Sequence, residues 1–294
     1  MTWIFFSILA GFFVALSDTL NKKYFGKEGY VKMTLARTIG AFPFLLPLFL
    51  YFLFIEKRTF YFTLPFIENI LILLFLEIMA TLFYMKAVEI SPISKALPFL
   101  SFTPIFIVFT GNILLGEKIS FLGFLGIIFI ISGAYIINLP LLKKGMLGPM
   151  KGIWKERGSL FMLITAFIYG ITSVLGKKGL LLSDPIFFAS FYFSLLSLIA
   201  PLILKVIYKI SLWKELFKDL KYLLLVGLTQ ALMCYCHMIA LSLIETAYMI
   251  ALKRTSIIFA VILGWLFFKE KQIPLRFTAA IFMFIGILII AFFR

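Results

Sequence analysis

The chain is written twice. Shifting the second half back by about 153 to 155 positions lays its polar residues on those of the first half. Lys22-Lys23 falls on Lys177-Lys178, and Ser17 falls on Thr172. Met85 and Ala87 fall on Met238 and Ala240. Gly111, Glu117-Lys118 and Gly133 fall on Gly264, Glu270-Lys271 and Gly286. Almost everything between these marks is apolar. The fold must therefore pack two like hydrophobic halves against each other.

Composition decides the solvent. Of 294 residues 63% are hydrophobic and 14% charged, and the mean hydropathy is +1.11. A soluble domain is roughly 45–50% apolar and about 25% charged. A helix needs roughly 20 apolar residues to cross a bilayer. Ten segments meet that length, near 3–21, 33–55, 66–87, 92–115, 119–139, 158–176, 185–207, 221–241, 246–268 and 273–293. The first lacks a basic flank and a small-residue cleavage site, so it reads as a retained span.

The expected fold is all-α and integral to the membrane. A five-helix repeat occupies 1–139, a Gly-, Pro- and Lys-rich linker 140–157, and a second five-helix repeat 158–294. Five is odd, so the second repeat enters the membrane in the opposite direction. Two inverted repeats around a central cavity are a transporter arrangement. Of the 28 Lys and Arg, 18 lie near odd-numbered connections, 6 near even ones and the termini, and 4 inside spans. The positive-inside rule then predicts both termini outside the cytoplasm.

Polar residues inside apolar spans are the candidate site. Span 3 carries Glu77, Thr81 and Tyr84; span 8 carries Gln230, Cys234 and His237. Each set has i, i+4, i+7 spacing, a single stripe on a helix. The sets also correspond under the repeat. They predict either a cavity lining or a seam of interhelical hydrogen bonds. Glu77 favours the cavity, because a mid-membrane acid is costly and usually functional.

Span 9 carries Lys253 and Arg254. Each costs roughly 2.5–3.5 kcal/mol at a helix centre, so both need solvation or partners. Lys253 shares a small, polar face with Thr246, Ser256, Ala260 and Gly264, and is predicted to look inward. Arg254 is turned about 100° away, to border the cavity or pair with another helix. Asp18 either pairs locally with Lys22 or serves as a gate or proton site at the cavity mouth. Arg37 is expected to snorkel to the interface, with clamping a carboxylate as the alternative.

Pro92, Pro98 and Pro104 predict a kinked span 4 opposite a straighter span 9. Lys95 reads as an interfacial anchor. Glu117-Lys118 and Glu270-Lys271 read as polar turns with helix caps. Gly123, Gly126, Gly133, Ala279, Ala280 and Gly286 read as close-packing positions.

Cys234 and Cys236 point in different directions on one helix, so neither a disulfide nor a metal site is expected. Hydrolase, zincin and nucleotide-binding motifs are absent from the sequence. No cofactor is implied. The net charge of +15 is spread through short loops, which suits anionic lipid headgroups and not nucleic acid. An intramembrane enzyme built on Glu77 and His237 has no further support.

The ten spans, the two repeats, Leu97-Pro98-Phe99 through Thr103-Pro104, Leu115-Gly116-Glu117 and Phe268-Lys269-Glu270 resemble the drug/metabolite transporter superfamily, in its EamA branch. The resemblance covers nearly the whole chain. It implies alternating access, with a cavity from spans 1, 3, 4, 6, 8 and 9, spans 5 and 10 peripheral, and both termini in the cytoplasm. That orientation opposes the charge count. The expected activity is export of a small polar metabolite, anionic or zwitterionic, across the cell membrane. A flippase for a lipid-linked phosphate or sugar is the alternative. Membrane lipids are expected partners, and a homodimer is compatible with the sequence.

Overall fold

The computed structural model describes residues 2–59, 63–91, 93–136, 157–182, 184–209, 219–268 and 273–293. Inside those ranges the side chains of Lys95, Pro98, Ala279 and Ala280, among others, also fall outside the description. So do Pro92, nearly all of the expected linker and Glu270-Lys271. All described regular structure is helical.

The first repeat contains α1 (Thr2–Phe25), α2 (Tyr30–Phe54) and α3 (Leu64–Ile90). Next come a short α4 (Ile93–Ala96), a 3-10 segment (Leu97–Phe102), α5 (Thr103–Leu115) and α6 (Phe121–Ile136). The second contains α7 (Arg157–Leu180), α8 (Pro185–Tyr208), α9 (Leu220–Leu243), α10 (Thr246–Lys253), α11 (Ser256–Phe268) and α12 (Ile273–Phe293). Among the described residues seven helices are long and apolar enough to cross a membrane, counting Thr246–Phe268 as one. Phe99–Leu115, Phe121–Gly133 and Ile281–Phe293 are shorter apolar stretches.

Local chemistry sets the ends. Asp184 caps α8, accepting from the amides of Ile186 and Phe187 at 3.0 and 3.1 Å, with Pro185 at the first helical position. Gly116 ends α5 in the left-handed region at φ 67°, where a side chain would be strained.

Helix pairing follows the repeat. α1 packs on α9 and α11, as α7 packs on α3 and α5. α2 pairs with its counterpart α8, and α6 with α12. Phe49 stacks on Phe187 near one end of the α2–α8 pair, and Tyr30 meets Tyr208 at the other, so these counterparts run antiparallel. α6 and α12 cross where Gly126 and Gly286 meet main chain to main chain. A β-carbon on Gly126 would lie 2.9 Å from the Gly286 carbonyl. The two glycines thus act as the close-packing positions their sequence suggested.

The two ends of the bundle gather different helix termini. The Lys22 face gathers the α1–α2 turn, the end of α3 and the start of α9. The Lys177 face gathers the end of α7, the α5–α6 turn and the start of α10.

Span 4 is interrupted by the 3-10 segment Leu97–Phe102, and span 9 is interrupted too. It breaks at Arg254-Thr255, where the amides of Arg254, Thr255, Ile257 and Ile258 each bond three residues back. No proline forces this. Gly11 of α1 makes room for it: a β-carbon there would lie 2.9 Å from the Lys253 carbonyl. The break turns two adjacent charged side chains toward protein and away from lipid.

Candidate functional site

The charged spans meet at a central cavity with about 100 Å³ of space open to water. Glu77, Thr81 and Tyr84 line it from α3; Gln230, Cys234 and His237 line it from α9. Lys253 and Arg254 reach it from the break after α10. The two expected stripes therefore face one space. Asp18 does not line the cavity; it sits directly behind it.

Asp18 is 1% exposed, and its partners correct the sequence reading. It pairs with Arg37 of α2, Nη1 to Oδ1 at 3.0 Å, and accepts a short hydrogen bond from the Tyr84 hydroxyl. It does not pair with Lys22. That ammonium donates instead to the carbonyls of Val88 and Ser91, at 2.8 and 2.7 Å, at the end of α3. Arg37 does not snorkel. Its guanidinium lies 5.1 Å from the centre of the Tyr84 ring and borders the cavity. A buried arginine needs such a carboxylate, because an unpaired charge here would be far more costly than the pair.

Thr172 and Tyr169 of α7 line the same cavity as Glu77 and Thr81. Across the cavity the Lys253 ammonium lies 3.0 Å from His237 Nδ1 and 3.3 Å from Met233 Sδ. Lys253 thus meets an imidazole, not a carboxylate. Arg254 is 5% exposed and its Nε has no hydrogen-bond partner. Gln230 Oε1 and the Tyr192 hydroxyl are buried without partners too.

Sequence reasoning missed Tyr192 of α8 and Tyr169, Thr172 and Ser173 of α7. A signal existed for α7: Tyr169, Thr172, Ser173 and Gly176 have i, i+3, i+4, i+7 spacing and all line the cavity. The cavity also takes walls from spans 2 and 7, beyond the six spans the resemblance implied.

Glu117 is more than a local cap. Its carboxylate accepts from Lys177 at 2.7 Å, from the Thr246 amide at 3.0 Å and from the Thr246 hydroxyl at 2.9 Å. It therefore caps α10 of the other repeat. Lys177 also donates to the Ile244 carbonyl at 2.7 Å. Glu270, its counterpart, lies outside the described residues.

The profile of the EamA-like transporter family matches residues 1–139 and 156–292. The chain belongs to the EamA-like transporter family. It is a multi-pass membrane protein of the drug/metabolite transporter type, whose members move small molecules across membranes. No curated protein matches it. Among solved structures 29 chains match. One, described only as the crystal structure of a protein, has a TM-score of 0.68 at 14% identity, over 98% of this chain and 95% of the other. That likeness is one of fold.

Proposed function

We propose that this EamA-like protein is a secondary-active exporter in the cell membrane. It moves a small carboxylate-bearing metabolite, such as an amino acid or an organic anion, by alternating access. Ten spans in two inverted repeats supply the scaffold. The observation that carries this reading is that Glu77 and the bases Lys253 and Arg254 line one cavity. In formal charges Asp18 offsets Arg37, and Glu77 offsets one of the two bases. One positive charge is left for a carboxylate. Glu77 and the tyrosine hydroxyls then suit an amine or hydroxyl on the same substrate, as in a zwitterion. The small volume favours a compact solute over a lipid-linked sugar.

A thermal-shift screen of purified protein tests this. Amino acids and small organic anions are compared with their amides and with lipid phosphates. Stabilisation by a carboxylate, absent for its amide and lost in Lys253→Ala, is the expected result. Stabilisation by lipid phosphates alone would replace the reading with lipid translocation.

A further inference from the structure

One pair of helix contacts breaks the two-fold exchange. α2 lies along α9. Their counterparts are α8 and α3, whose backbones come close at far fewer points. Where α2 meets α9, Gly40 and Gly227 face each other with no side chain between. A β-carbon on Gly227 would strike the Gly40 main chain, and one on Gly40 would strike the Leu223 carbonyl. Farther along, the Tyr235 hydroxyl donates to the Phe44 carbonyl at 3.2 Å. Nearer the Lys22 face, Tyr24 stacks on Tyr222 with ring centres 4.0 Å apart, and the Tyr30 and Tyr208 hydroxyls lie 3.1 Å apart. Gly40 and Gly227 both fall in the half of their helix that starts from that face.

Under the repeat, Gly227 corresponds to Leu74, and Gly40 to Ser194 or Leu195. Side chains therefore stand where the α2–α9 contact has none. The exchanged contact belongs to the half nearer the Lys177 face. There the cavity wall is made by Leu73 and Glu77 of α3 and by Phe193, Leu196 and Ser197 of α8.

We propose that the Gly40–Gly227 contact is a closed gate on the Lys22 face, and that the more widely spaced α3–α8 boundary is the way into the cavity from the Lys177 face. The proposal rests on the transporter reading and adds which helices seal and which part. Small residues let two backbones close to van der Waals contact without reorganising side chains. At the same face the tyrosine pairs tie the flanking helices, α1 to α9 and α2 to α8. Transport then requires α2 and α9 to separate while α3 and α8 close.

Thiol labelling tests the gate without any substrate. Ser197→Cys is placed in a chain whose Cys234 and Cys236 are serine. An impermeant maleimide is applied to right-side-out and to inverted vesicles. The expected result is labelling roughly tenfold faster from the Lys177 face, reversed or equalised when Gly227→Leu holds the gate apart. If Gly227→Leu does not fold, the Tyr24→Ala, Tyr222→Ala double variant should raise labelling from the Lys22 face. Faster labelling from the Lys22 face in the parent, or a ratio that no folded gate variant changes, would overturn the proposal. Labelling does not depend on transport. A gate that responds in a protein transporting nothing would therefore count against the transporter reading alone.

Discussion

Charge placement inside an apolar bundle is settled residue by residue. Arg37 is tolerable because Asp18 meets it at 3.0 Å and Tyr84 closes over it. Removing one member of such a pair strands the other and costs roughly 3–5 kcal/mol. Asp18→Ala should therefore lower Tm sharply, and Asp18→Ala with Arg37→Met should recover a substantial part of the loss. Thermal denaturation of the three variants measures the coupling. Additive effects would show the pair is not coupled. Lys253 is different, since its nearest polar partner is His237. Lys253→Met removes a charge that has no acid beside it, so the variant should be as stable as the parent or more so, while losing ligand stabilisation. A large fall in Tm would mean that Lys253 is structural.

Elements show why some features were legible and others not. Among the described residues seven helices reach spanning length and three shorter apolar helices lie within the other expected segments, because a long apolar run has few other ways to satisfy its backbone in lipid. The break at Arg254-Thr255 carries no proline and depends on space given by Gly11 of a distant helix, so no local pattern announces it. The stripes on α3 and α9 were readable from spacing. Arg37 was misread because its partner, Asp18, sits on another helix. Gly11→Val should push α1 off the break and destabilise by roughly 1–3 kcal/mol through overpacking. Glu117 ties the end of α5 to α7 and to the first turn of α10. Glu117→Gln keeps the shape and loses the ionic bond to Lys177, for an expected loss of roughly 1–3 kcal/mol. Denaturation midpoints check both; unchanged midpoints would mean these contacts do not hold the helix ends.

Across the whole molecule, duplicated positions build the scaffold and diverged positions line the cavity. Glycines and the Lys22 and Lys177 anchors recur in both halves. Glu77 against Gln230, Tyr84 against His237 and Leu100 against Lys253 do not, and all six line the cavity. The asymmetric contacts of α2–α9 and α3–α8 are a property of the assembled pair of repeats, which the sequence of either half does not contain. If this cavity carries a carboxylate-bearing substrate, counterflow in proteoliposomes reads it out, using the radiolabelled carboxylate that most raises Tm. The expected result is accumulation by the parent protein and loss of roughly tenfold or more in both Lys253→Met and Glu77→Gln, with both variants folded. Undiminished counterflow in both would contradict it.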